Sequence, residues 1–277
     1  MENIYEDRVI PVTSITSGIG QTISDGVYYL PTQIVNVIYI TDPKTNQWVL
    51  IDAGMPRSSQ KIIDEAEQRF GDDNPPKAIL LTHGHFDHVG SITDLVNYWN
   101  VPVYAHSLEM PYLTGKQSYP KGDPTVDGGL ISEVSPLFPN HSIDLEQHVK
   151  PLPENNSVPF LPDWTWIHTP GHTKGHISLF REKDKTLVAG DAFVTVKQES
   201  LYKVMTQKLE ISGPPKYFTT DWDAAWRSVK KLNKLKPSVA ITGHGLPMSG
   251  DTLTNELDKL STDFDSIAIP EHGRFVH

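Results

Sequence analysis

"LLTHGHFDHVGS", residues 80–91, places His83, His85, Asp87 and His88 within six positions. The chain has only 12 histidines in 277 residues, so finding three of them here calls for a chemical reason. The run before them, "KAILLT", is short, apolar and preceded by a breaker, which predicts a buried strand. Beyond them, "SITDLVNYW" sets Ile92, Leu95, Val96 and Trp99 at helical spacing, and "VPVYAH" reads as the next strand. Strand, loop, helix, strand is α/β order, and in such sheets ligands bind beyond the carboxyl ends of strands. The histidines fall where that rule places a site.

Upstream, "VYYLPTQIVNVIYIT" and "WVLIDAG" read as strands separated by the turn "DPKTNQ". In "SSQKIIDEAEQRF", Ile62, Ile63, Ala66 and Phe70 share a helical face, with Gly71 just after it. Downstream, "DWTWIHT", "HISLF", "TLVAGD" and "SVAIT" read as strands. "DWDAAWRSVKKLNKL" puts Trp222, Ala225, Trp226, Val229 and Leu232 on one helical face that Pro237 ends. Residues 110–162 are rich in Pro and Gly and weakly periodic. They are expected to form a long ordered insertion anchored by Tyr112, Tyr119, Leu137 and Phe138.

Composition narrows the function. Lys plus Arg number 24 against 34 for Asp plus Glu, a net charge of −10, which argues against a nucleic-acid partner. There is no cysteine, so disulfides and thiolate metal sites are excluded. Residues 1–12 carry no signal-peptide-like apolar run and no membrane-spanning stretch occurs, so a soluble cytoplasmic protein is expected. Oligomeric state is not readable.

Three later segments share the trait of the first, a His or Asp beside Gly just after a β-like run. They are "HTPGHTKGH" with His172 and His176, "LVAGD" with Asp191, and "AITGHG" with His244. Neutral imidazole and carboxylate are standard ligands for zinc and similar divalent metals. In H-x-H, alternate side chains can point the same way and give one metal two ligands, while Asp87 and His88 can face a second. A carboxylate such as Asp191 can bridge two metals.

"THGHFDHVG", "TPGHTKGH", "GD" and "GH" in this order resemble the metallo-β-lactamase superfamily of binuclear metallohydrolases, over roughly residues 26–250. The resemblance implies an αββα sandwich, two mixed β-sheets packed face to face with helices outside, formed by residues 1–277 as one domain. Carried over by position, it implies that His83, His85 and His172 hold one metal and that Asp87, His88 and His244 hold another, with Asp191 bridging. Two divalent ions are implied, zinc by default, with iron, manganese and cobalt also accepting such ligands. The implied reaction is attack by a hydroxide bridging the metals, oriented by Asp87, on a carbonyl centre. With the ligand set full, His176 is expected to support the ligands by hydrogen bonding, as is Asp52 in "LIDAG". His106, His141, His148, His168, His272 and His277 are expected to be structural or solvated.

For substrate, the residues favour a small molecule. A true β-lactamase is disfavoured by Asp191 and the absence of Cys. Lactone or ester hydrolysis leads, although Val194 stands where several lactonases resembling this chain carry a Tyr. A glyoxalase II-like thioesterase is the alternative, on "TPGHTKGH". A non-catalytic metal-binding protein or a di-iron redox protein is the alternative of another class. Tyr112, Tyr119, Phe138, Phe193 and Tyr202 are expected to supply an apolar substrate pocket.

Overall fold

The computed structural model describes residue 4 and residues 12–127 and 129–276. The signal-peptide reading of residues 1–12 and the reading of His277 fall, for the most part, outside the described residues. The chain forms two compact units, one of the described residues up to Tyr119 with His141–Pro162, the other of Pro120–Asn140 with the residues from Asp163 on.

The first unit carries a seven-stranded sheet in sequential order. Its strands are β1 (Gln21–Ser24), β2 (Val27–Thr32), β3 (Val35–Asp42), β4 (Gln47–Ile51), β5 (Ala78–Leu80), β6 (Val103–Ala105) and β7 (Val149–Pro151). The first four pair antiparallel, and β4 through β7 pair parallel. Strands β2 and β3 are buried almost throughout, which is why they read as near-continuous apolar runs rather than alternating ones. Parallel pairing needs crossovers. Helix α1 (Ser59–Phe70) supplies the first and buries Ile62, Ile63 and Ala66, with Phe70 stacked on Trp48 at 4.4 Å. Gly71 takes φ 86 and closes the helix through its N–H to the Glu67 carbonyl. The second crossover holds two helices, α2 (Phe86–Val89) and α3 (Ile92–Trp99).

The second sheet has the order β13-β12-β11-β10-β9-β8. Its strands are β8 (Ser157–Val158), β9 (Leu161–His168), β10 (Ile177–Arg181), β11 (Thr186–Gly190), β12 (Val239–Thr242) and β13 (Met248–Ser249). Strands β11 and β12 pair parallel, whereas β9 with β10, β10 with β11 and β12 with β13 are antiparallel. Between β11 and β12 run α6 (Leu201–Thr206) and α7 (Trp222–Lys234). Asp221 caps α7 by accepting from the Ala224 N–H, and the helix buries Trp222, Ala225, Val229 and Leu232. These meet Phe180, Leu187, Phe193, Leu253, Leu257 and Phe264 in one apolar core.

Helix α8 (Gly250–Thr262) lies outside the sequence reading, although Leu253, Leu257 and Leu260 have the spacing of a buried face. Residues 110–162 carry two short helices, α4 (Met110–Leu113) and α5 (Leu130–Val134), together with β7 and β8. Tyr112 and Tyr119 are buried, and Phe138 packs on Tyr217 and Phe218. Leu137 corrects the expectation: it is 79% exposed, pointing into water from the end of a 3-10 turn. Among the described residues no helix is long and apolar enough to cross a membrane.

Candidate metal centre

All seven sequence-derived ligands are buried side chains that offer a ligand atom. In the first unit, the chain leaves β5 and bends at Thr82, and His85 then immediately precedes α2, which carries Asp87 and His88. His83 Nε2 and His85 Nδ1 lie 3.1 Å apart, and the His83 and His88 rings lie 4.2 Å apart between centroids.

Asp52, just after β4, takes φ 61, a left-handed conformation uncommon outside glycine. This turns its carboxylate toward the ligand loop. Oδ1 accepts from the Thr82 N–H at 2.7 Å; Oδ2 accepts from the Thr82 hydroxyl and from His88 Nδ1, each at 2.8 Å. A carboxylate only accepts, so His88 carries its proton on Nδ1 and its lone pair on Nε2. The Thr82 hydroxyl spends its one proton on Asp52. Its contact with His83 Nδ1 at 3.1 Å is then a bond accepted from that nitrogen, which makes Nε2 the ligand atom of His83 as well. Asp52 thus ties the Thr82 backbone and hydroxyl to the His88 ring through its two carboxylate oxygens.

The second unit holds a matching arrangement. Asp191 follows β11, and its Oδ2 lies 3.5 Å from His172 Nε2 and 3.3 Å from His244 Nε2. The Thr219 hydroxyl donates to the Pro215 carbonyl, so it accepts from His172 Nδ1 at 3.2 Å and fixes Nε2 toward the carboxylate. His176 accepts the Asp191 N–H on Nε2 at 2.8 Å. Its Nδ1 proton faces the Thr169 hydroxyl, which meets Ser178 Oγ at 3.0 Å, and Ser178 donates to the Ala189 carbonyl. His176 therefore holds the Asp191 backbone in place.

The donor set fits divalent metal ions. Tetrahedral ligands at about 2.0–2.1 Å from a zinc ion lie about 3.3 Å from one another. The separations of 3.1, 3.3 and 3.5 Å match such edges. Each of His83, His88 and His172 keeps its ring proton on the nitrogen away from the ligand position. A single oxygen, Asp191 Oδ2, serves both neighbouring imidazoles.

The residues expected to line a substrate pocket have varied placements. Tyr112 and Tyr119 stack at 3.9 Å, and Tyr119 lies edge-on to His85 at 4.5 Å. Burial, reinforced by the Glu109 carboxylate, raises the Tyr119 hydroxyl well above the usual tyrosine range. Phe193 is in the second unit's apolar core, and Tyr202 is 72% exposed on α6. Val194 pairs with Ser212 through backbone hydrogen bonds. Sequence reasoning misses Thr82, Thr169, Thr219 and Glu109. Thr82 and Thr169 sit immediately beside the histidine motifs, which was the available signal.

The metallo-beta-lactamase superfamily model matches residues 30–244. "Probable metallo-hydrolase YflN" of Bacillus subtilis (strain 168) is 52% identical over 262 residues, 94% of this chain and 99% of that protein. "Hydroxyacylglutathione hydrolase" of Bdellovibrio bacteriovorus is 27% identical over 206 residues, covering 74% of this chain and 61% of its own. Among solved structures, the metallo-beta-lactamase family protein TTHA1429 from Thermus thermophilus superposes with a TM-score of 0.60 at 20% identity, over 88% of this chain and 81% of that one.

Proposed function

Because the chain belongs to the metallo-beta-lactamase superfamily, we propose that it is a binuclear metallohydrolase acting on a lactone or ester of a small or acyl molecule. Its fold is the αββα class that the motifs imply. The observation that supports the binuclear reading is Asp191: one oxygen stands at ligand-edge distance from two different imidazoles, as a bridging carboxylate would require. In the motif order of the superfamily, His83, His85 and His172 would hold one ion and Asp87, His88 and His244 the other. Zinc is the default for such a set.

Ions bound there lower the pKa of water towards about 7 and polarise a carbonyl oxygen. The chain's own residues do the rest. Asp87 orients the attacking water through a hydrogen bond to its carboxylate. Asp52 and Thr82 keep the His88 and His83 ring protons away from the ligand atoms, and His176 fixes the Asp191 backbone. A net charge of −10 favours a small-molecule substrate over nucleic acid.

The test is proton release by metal-loaded protein on a medium-chain acyl-homoserine lactone, with Asp191→Ala as control. Release that vanishes in the control supports lactone opening. No release above background removes the lactone reading and turns the test to thioesters, the second reading, favoured by the likeness to a hydroxyacylglutathione hydrolase. Metal binding without turnover on either class supports the non-catalytic alternative.

A further inference from the structure

Glu109 is the most conspicuous buried acid outside the ligand set. Carboxylates are almost never fully buried unless paired, yet Glu109 is 0% exposed. It ends the 3-10 turn Ser107–Glu109 that follows β6, the parallel neighbour of β5, so both loops leave the same edge of the sheet. Its partners lie on the ligand loop and on the insertion. Glu109 Oε2 accepts the Gly84 N–H at 3.1 Å and the hydroxyl of Tyr119. The same N–H lies 3.0 Å from Tyr119 Oη, a three-centre arrangement. Tyr119 in turn presses edge-on against the His85 ring and is backed by Tyr112.

Two features make this cluster matter to the metal. Gly84 stands between His83 and His85, so fixing its amide sets the angle between the two imidazoles. His85 presents Nδ1, the ring nitrogen nearer the backbone, toward His83 Nε2. Any shift of the Gly84–His85 backbone therefore displaces that ligand atom almost directly. Space is tight too, since a Cβ on Gly84 would stand 2.7 Å from Tyr119 Oη.

We propose that Glu109 and Tyr119 are positioning residues that hold the Gly84 amide and the His85 ring in register for the first metal ion. The proposal rests on the reading of His83 and His85 as ligands. Tyr119 belongs by this account to the metal centre's scaffold, acting through His85.

The experiment is competition for zinc between the full-length protein and a chromophoric chelator, on wild type, Tyr119→Phe, Glu109→Gln and His85→Ala. Apo melting curves and the visible spectrum of the cobalt-substituted protein accompany it. Tyr119→Phe keeps the stacked ring and removes only the hydroxyl. The expected result is about 10–100-fold weaker binding of one of two ions, the usual cost of losing a partner that orients a ligand. The cobalt bands shift as well, whereas a purely structural role would lower apo melting and leave the bands in place. Wild-type zinc affinity and an unchanged cobalt spectrum in Tyr119→Phe, alongside loss of one ion in His85→Ala, overturn the positioning role alone. Retention of both ions by His85→Ala overturns the ligand reading beneath it. Should Glu109→Gln fail to fold, Tyr119→Phe decides.

Discussion

Asp52→Asn keeps the shape of a buried side chain and reverses one of its hydrogen-bonding faces. With the amide oxygen at Oδ1, the bond from the Thr82 N–H survives. The NH₂ group then occupies the place of Oδ2, where the Thr82 hydroxyl and His88 Nδ1 both donate. The hydroxyl can rotate and accept. The imidazole has no such freedom: it either keeps its Nδ1 proton against another donor or moves the proton to Nε2, the ligand atom. A buried donor left without an acceptor costs about 1–3 kcal/mol. At roughly 2–4 °C per kcal/mol for a chain of this size, the apo protein should melt about 2–12 °C lower. Moving the proton instead spares stability but blocks the metal, so affinity at the second ion should fall about 10–100-fold. Urea denaturation of the apo protein and zinc competition measure the two together. A variant within about 0.5 kcal/mol of wild type in stability and unchanged in zinc affinity would refute the proton assignment of His88, because one loss or the other has to appear.

Gly171, at φ 139 beside His172, would bring a Cβ to 2.4 Å from the Ala225 backbone, so Gly171→Ala should cost about 2–5 kcal/mol in urea denaturation. A loss under about 1 kcal/mol would show that α7 can retreat. Burial pushes Asp127 up, but bonds from Lys216 and from the Glu271 N–H outweigh it and hold the carboxyl below the usual range. A lowered folded value means stability that is present above the unfolded carboxylate range, near pH 4, and is lost as pH falls through the lower folded value. Acid titration of the melting temperature should show that loss, and Asp127→Asn should reduce its slope; equal slopes would remove Asp127 from the account.

Local spacing carries most of what the sequence discloses. "KAILLT" followed by H-x-H-x-D-H gives strand, loop and candidate ligands within a dozen residues, because a strand end displays its side chains without help from elsewhere. Glycine or threonine beside His172, Asp191 and His244 gives the rest of the donor set. The supporting hydroxyls are less legible because they work at a distance: Thr219 lies 47 residues from His172, and Glu109 lies 25 from Gly84. No periodicity links such pairs. The Pro-rich insertion shows the same limit, since its short helices are too brief for a repeat to register and Leu137 looks like an anchor in composition alone. Helix α8 is a different case: Leu253, Leu257 and Leu260 carry an adequate signal that the reading leaves unused.

The line of hydroxyls from His176 through Thr169, just past β9, and Ser178 in β10 ends on the Ala189 carbonyl in β11, two residues before Asp191. Its consequence is one of inheritance. A serine-to-alanine change at Ser178 would pass as a mild variant within a buried strand, outside the set of candidate ligands. Yet it would remove the last hydroxyl in the series and loosen, link by link, the imidazole that accepts the Asp191 amide. On the proposed function, descendants of this gene can lose their chemistry while every candidate ligand stays intact, and a catalogue of histidines and aspartates would record them as whole.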